Sequence, residues 1–404
     1  MYVHWPTLGW LARRGMFGVG VTHRRRARIA GFGLALGWLW SVVSVARALD
    51  RWVYPALQKA SIPPPLFVIA TPRSGTTFLH HLLALDDERF VGFKLYQTIA
   101  PALLLERAIG LVQRLDAAAG GGLGRLLDRL DRRMFTAWEG IHQVGLRADE
   151  EDENLFVYSL VSPAVYLLVP TIGEHPELID VTGIGRGPIQ RLAHDYRESV
   201  RRLVYLAGGA RAPLIKNVLL PSRLPVAQHA FPEARYVHII RDPREAIPSA
   251  VSMFYAMWQT HSPNIAEDSP ETRALAEMFL EHYRLLCEEG RRQPPERWMS
   301  VRFETLVEDP LGTIEHIYAT FGLSVSARFR ERLEQAVADV RRFKSRHTYD
   351  LARFGLTEND LRRSLGDHWE VVSQRAPTPA AEGAGLDVFP RRENGLESGM
   401  TRAD

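Results

Sequence analysis

Short, uniformly apolar runs alternate along this chain with longer stretches in which apolar residues recur every three or four positions. Leu66-Phe67-Val68-Ile69-Ala70 is one such run, set off by Pro63-Pro64-Pro65, which cannot continue a helix. Pro213–Lys216, Tyr236–Ile240 and Trp298–Phe303 repeat the pattern. Runs of this length predict buried strands. Helical spacing covers Phe78–Leu85, Ile189–Ala207, Ser222–Ala230, Ala246–Trp258 and Ala274–Glu289. Strands alternating with helices predict a three-layer α/β fold, a mainly parallel central sheet flanked by helices. Pro101–Gly140 has a helical pattern broken by Gly120-Gly121-Gly122, and reads as a helical insertion after the first βα unit.

Composition changes this picture little. The 404 residues are 46% hydrophobic and 24% charged, an ordinary globular balance. A net charge of +3 gives no argument for a nucleic-acid partner. The single cysteine, Cys287, excludes an internal disulfide, weighs against a Cys-based metal site, and sits in an amphipathic stretch that predicts a buried structural role.

The chemistry begins where the first strand ends. Ala70-Thr71-Pro72-Arg73-Ser74-Gly75-Thr76-Thr77 joins a buried strand to a helix start. Backbone N–H groups at such a junction lack partners, and the helix dipole adds partial positive charge, so the place suits an anion. Gly75 lets the backbone come close, and Thr76 and Thr77 add hydroxyl donors. The spacing is that of a nucleotide-hydrolase P-loop, but Ala70 replaces its first Gly and Thr76 its Lys. The cation lies upstream, at Arg73, which weighs against triphosphate hydrolysis.

A second string, Tyr236-Val237-His238-Ile239-Ile240-Arg241-Asp242-Pro243, is a strand ending in Arg-Asp-Pro, with Ser249 eight residues after Arg241 on the next helix. Arg suits bidentate contact with a phosphate, and a Ser hydroxyl adds one bond. An Arg-Asp pair holding a turn would give the same string, and Asp242 also fits a metal-holding acid of a nucleotide hydrolase.

Both strings resemble the sulfotransferase family, whose 5′-phosphosulfate loop reads Pro-Lys/Arg-Ser-Gly-Thr-Thr at the same strand–helix junction. Pro72–Thr77 matches it at all six positions. The resemblance, to bacterial sulfotransferase-like proteins, runs from about Pro63 to Leu365. It includes Leu214-Ile215-Lys216-Asn217, Phe231–Arg235, Arg302–Pro310, His347-Thr348-Tyr349 and Phe354–Thr357. Phe303 stands where the family often has Tyr. The resemblance implies a P-loop-type fold and transfer of a sulfuryl group from 3′-phosphoadenylyl sulfate (PAPS) to a hydroxyl or amine by in-line displacement, with no metal required. It implies that Arg73, Ser74, Gly75, Thr76 and Thr77 hold the phosphosulfate, with Arg73 also catalytic, and that Arg241 and Ser249 hold the 3′-phosphate. Lys344–His347 reads as a basic lid over the donor. Lys216 reads as structural, although its strand end approaches the loop. An ATP-dependent kinase on a P-loop fold and a catalytically silent, membrane-associated nucleotide binder are the alternatives.

The acceptor must lose a proton as it attacks sulfur. The run His142–Glu153 holds the candidates for the base, and Glu151 and Glu150 match the family best. Five consecutive acids, Asp149–Glu153, fit a solvated face equally well. His80 and His81 follow the loop, and at least one of them is expected to pack.

The expected organisation is an N-terminal basic and apolar helical segment (1–62), a sulfotransferase domain (63–373) and a disordered tail (374–404). Ile29–Ala46 runs eighteen residues without a charge behind Arg24-Arg25-Arg26-Ala27-Arg28, long enough for a minimal membrane span. A span with those arginines inside would place the domain outside, away from a cytoplasmic donor. Residues 1–50 are therefore expected to touch the inner membrane's surface or to pack on the domain, and the protein to be cytoplasmic, peripheral or anchored. A small-molecule, lipid or carbohydrate acceptor is open, and the apolar N-terminus and Ala164–Thr171 favour a lipid.

Overall fold

The computed structural model describes residues 1–404 apart from 19, 123, 126–149, 341–349 and 375–404. The expected lid at Lys344–His347, the run His142–Asp149 and almost all of the tail therefore lie outside the described residues.

Five parallel strands form one sheet in the order β2-β3-β1-β4-β5: β1 Leu66–Ile69, β2 Phe90–Val91, β3 Ala212–Asn217, β4 Arg235–Ile240 and β5 Trp298–Arg302. Every residue of β1 is buried, because helices cover both faces of a parallel sheet. This is the α/β architecture that the alternation predicts. Two boundaries differ from the sequence reading. Phe303 leaves the fourth run to open a helix, Phe303–Glu308, and the stretch from Ser222 is α-helical only over Leu224–Ala230. The two-residue strand Phe90–Val91 is too short to leave an apolar run, and pairing with Ala212 and Pro213 alone makes it a strand.

The pairing register sets Ile69 beside both Asn217 and His238. The carboxyl ends of β1, β3, β4 and β5 thus meet at one edge, where open parallel sheets bind their ligands. Gly75 caps α3 (Thr76–Ala84) after β1, and Pro243 opens the helix after β4.

The N-terminal segment packs on this frame. In α1 (Trp5–Met16), Trp10 and Leu11 join the core made by Tyr166, Phe254 and Trp258. His4 and His175 both hydrogen-bond the Thr7 hydroxyl, at 2.8 Å each. The helix α2 (His23–Val53) is 31 residues long and apolar enough to cross a membrane. Both its ends are nonetheless bonded to the same domain. At its start Thr22 Oγ1 donates to the His261 carbonyl, Arg25 Nε to Ser262 Oγ at 2.8 Å, and Arg28 to Thr260 Oγ1 at 2.6 Å. At its end Asp50, fully buried, accepts Arg202 Nε at 2.9 Å and the backbone N–H groups of Leu103 and Leu104. The helix therefore lies along the domain. Breaking a buried pair such as Asp50–Arg202 by removing one partner costs about 3–5 kcal/mol.

Candidate functional site

The loop after β1 is shaped by two left-handed residues, Arg73 (φ 70°) and Gly75 (φ 86°). Only Gly adopts this region freely. A second constraint holds at Gly75, where an added Cβ would stand 2.6 Å from the Phe303 ring. Thr71 Oγ1 and Ser74 Oγ lie 3.3 Å apart beneath the loop. Above it the first N–H groups of α3 point outward without intrahelical partners.

The second string closes on this loop. Arg241 Nη1 donates to the Arg73 carbonyl at 2.6 Å, and Arg73 Nε donates to Ser249 Oγ at 3.1 Å. The Arg241 guanidinium stacks over Phe303 at 4.5 Å from the ring centroid. Tyr283 fixes the turn from below by donating to the Arg241 carbonyl at 2.8 Å. Phe303 thus serves as a platform for Arg241 where a Tyr hydroxyl was the family's expectation. Asp242 is the helix cap: it accepts the Arg244 backbone N–H at 2.9 Å and its guanidinium, so its own turn consumes it.

Facing the loop, residues 150–153 of the acidic run do not form a solvated face. Asp152 is buried and Glu150, Glu151 and Glu153 are largely so, because the run folds over the end of β3. It divides by partner. Lys216 Nζ sits 3.6 Å from Glu151 Oε1 and 3.8 Å from Glu150 Oε1, and donates to Thr77 Oγ1 at 3.2 Å. Asp152 and Glu153 face the other way. They accept Asn217 Nδ2 at 2.7 and 2.9 Å, while Tyr196 donates to Asp152 and Arg223 pairs with Glu153. Glu150 N–H is held by the Phe93 carbonyl at 2.9 Å.

Burial raises the Glu151 carboxyl to about 7; Lys216 opposes the rise, and Glu150, Glu153 and Asp152 add to it. Asp152 is also raised by burial, to about 6, against the bonds from Tyr196 and Asn217. His80 is buried, and desolvation with the nearby Lys216 holds its imidazole down at about 3, so it stays neutral. His81 is exposed. Cys287 is fully buried among apolar neighbours, and burial pushes its thiol up to about 12.

The model of the sulfotransferase family matches residues 64–327, a span that includes the loop, Arg241, Ser249 and the acidic run. The chain belongs to the sulfotransferase family. The omega-hydroxy-beta-dihydromenaquinone-9 sulfotransferase of Mycobacterium bovis is 26% identical over 316 residues, covering 77% of this chain and 74% of that protein. In fold, the sulfotransferase STF9 from Mycobacterium avium superposes with a TM-score of 0.71 at 18% identity, over 90% of each chain. The sulfotransferase STF1 from Mycobacterium tuberculosis gives 0.65 at 21% identity, over 90% of this chain and 91% of the other. The protein is therefore a PAPS-dependent sulfotransferase of P-loop-type fold.

The site of this sulfotransferase fits that donor on its own geometry. The Gly75 cradle would be filled by any side chain, and Arg241 Nε is buried with no hydrogen-bond partner among the described residues. Sequence reasoning set Lys216 aside as structural, because a Lys at a strand end says nothing of what faces it. Only the fold of the acidic run, distant in sequence, places it between Glu151 and Thr77.

Proposed function

We propose that this sulfotransferase sulfates the hydroxyl of a lipid acceptor, with Glu151 as the base. The observation that carries the reading is Lys216, which touches the donor loop at Thr77 and the carboxylate of Glu151 with the same ammonium. One cation thus ties the phosphosulfate grip to the group that takes the acceptor proton. A carboxyl raised to about 7 matches a base working near neutral pH. Glu150, 3.8 Å from the same ammonium, keeps that carboxyl high and is the second candidate.

The roles of the remaining residues follow from position. The amides of Ser74, Gly75, Thr76 and Thr77 hold the phosphosulfate, and Arg73 stabilises the charge left on the oxygen between phosphorus and sulfur. Its Nε contact with Ser249 orients it from the 3′-phosphate side. Arg241 and Ser249 hold the 3′-phosphate, and Phe303 keeps the Arg241 plane fixed. No step needs a metal ion, so transfer is expected to survive a chelator.

The lipid reading rests on the N-terminal segment, which exposes Trp5, Phe17, Leu34, Trp38 and Trp52 beside arginines. Such a surface suits peripheral contact with the cytoplasmic face of a membrane. The similarity to a menaquinone-derivative sulfotransferase agrees with it. The test is transfer of labelled sulfuryl from PAPS to a fractionated cell extract. Label in the organic-phase lipids is the expected result, and label confined to water-soluble carbohydrate would sink the lipid reading. Binding of 3′-phosphoadenosine 5′-phosphate with no transfer to any fraction would restore the silent binder.

A further inference from the structure

The run that carries Glu151 continues into a stretch with little regular structure of its own. The described residues from Asn154 to Ile184 form no strand and no helix longer than five residues. Leu160, among them, stands in the left-handed region (φ 61°), which crowds its Cβ against the backbone, so neighbouring contacts must offset the cost. The contacts around it close the stretch back on the acids. Ser159 Oγ donates to the Phe156 carbonyl at 2.7 Å and accepts the Val161 N–H at 3.2 Å, and the Ser162 hydroxyl donates to Glu153. Glu153 is two residues from Glu151.

The N-terminal segment grips this stretch from outside. The His4 N–H donates to the Ser159 carbonyl at 2.9 Å, one residue before Leu160. The Tyr2 N–H donates to Asp195 Oδ2 at 2.5 Å. Tyr2 lines a crevice of only about 20 Å³ with Phe156, Ser159 and Tyr196, room for about one water. Tyr196 is the residue that donates to Asp152. A chain of side chains fixes the grip in turn. His175 Nδ1 faces Glu177 Oε2 at 3.2 Å, which leaves Nε2 to accept the Thr7 hydroxyl, and Thr7 accepts His4 Nδ1–H. Trp10 stacks on the His175 ring, centroids 5.2 Å apart. Burial, then the neighbouring His175, holds the His4 imidazole below its ordinary range, and Glu177 opposes them, so His4 is neutral near pH 7. Thr7 is fully buried, and a side chain without its hydroxyl would leave a nitrogen of each ring unpaired.

We propose that Thr7 and His4 are positioning residues for sulfuryl transfer, clamping residues 154–162 so that Glu151 stays buried against Lys216. The inference rests on the reading of Glu151 as the base and adds what holds that base in place. It makes the N-terminal segment part of the acceptor side of the site, while the donor loop stands without it.

The test compares Thr7→Val, which keeps the shape of the side chain and deletes the hydroxyl, with Thr7→Ser, which keeps the hydroxyl. Each full-length variant is given labelled PAPS at saturation and the extract fraction that the parent labels, and its initial rate is followed against pH. Calorimetric binding of 3′-phosphoadenosine 5′-phosphate reads the fold and the donor side. Thr7→Val should bind the nucleotide with parent affinity and stoichiometry, yet run at least about fivefold slower above about pH 8, because a displaced base loses its aim. Its acid limb should move to lower pH, since burial is what raises the Glu151 carboxyl and a loosened run lets water in. Thr7→Ser should restore both. A Thr7→Val protein with the parent rate and the parent limb overturns the proposal. So does a loss shared equally by Thr7→Ser, and so does a rate that falls only in step with the fraction of protein that binds nucleotide. If Thr7→Val does not fold, His4→Ala carries the same test with the same outcomes, because it leaves Thr7 paired with His175. A parent rate in Glu151→Gln overturns the base reading and the clamp with it. An inactive Glu151→Gln beside an unchanged Thr7→Val overturns the clamp alone.

Discussion

Arg73 and Lys216 are both cations at the carboxyl edge of the sheet, yet they belong to differently built halves of one site. Arg73 lies inside a contiguous string, Thr71–Thr77, whose backbone conformation makes the anion cradle, and a second short string supplies Arg241 and Ser249. Lys216 has meaning only through residues far from it in sequence. Glu150 and Glu151 reach it from a run some 65 residues upstream, and Tyr196, Asn217 and Arg223 pull the other half of that run inward. The donor side depends on local backbone geometry, and the acceptor side on burial. Local geometry survives as a motif, whereas burial changes protonation without leaving one.

The largest loss should come from the acceptor side. Glu151→Gln removes the proposed base and should lower kcat by about 10²–10⁴-fold, with binding of 3′-phosphoadenosine 5′-phosphate retained. The base works deprotonated, so parent kcat/KM should fall as pH drops through about 7, and that limb should vanish in the variant. Glu150→Gln should cost less. The reverse ranking would move the base to Glu150.

On the donor side, Arg73→Ala should lower the transfer rate at least about 100-fold with the fold intact. Near-parent turnover would remove Arg73 from the mechanism and leave the backbone cradle to do the donor's chemistry alone. Arg241→Ala should act on binding instead. Affinity for 3′-phosphoadenosine 5′-phosphate should drop by about 1.5–3 kcal/mol, the worth of a hydrogen bond to a charged group, while AMP binding changes far less. Equal losses for both nucleotides would break the 3′-phosphate role.

The same contrast explains what the sequence disclosed. The strand–loop–helix at Leu66–Ala84 and the Arg241-Asp242-Pro243 turn were legible because each is made by neighbours in sequence. Strand ends moved by a residue where a side chain had a better use, as Phe303 does beneath Arg241. Two features were hidden. The strand Phe90–Val91 exists only through pairing with β3. The acids at Glu150–Glu153 fit a solvated face as well as a base in sequence, and their burial appears only where Lys216, Asn217 and Arg223 draw them inward. Packing on the domain, one of the two placements expected of residues 1–50, is seen at both ends of α2, held by Ser262 and Arg202, each more than 150 residues away.

The smallest effect is the most diagnostic of how the acceptor side is tuned. Burial drives the Glu151 carboxyl up and Lys216 opposes it, so removing the ammonium should carry the acid limb of kcat/KM to higher pH. Lys216→Met should then run roughly several-fold below the parent at pH 7 and close the gap above pH 9, where even a further-raised carboxyl is ionised. Asp152→Asn should do the opposite. Asp152 adds negative charge beside Glu151, so its neutral replacement lets Glu151 ionise more easily and moves the limb to lower pH. Two variants flanking one carboxylate would thus displace one profile in opposite directions. A role for Lys216 in packing alone predicts a uniform loss at every pH, and profiles that fall without moving would reduce it to structure.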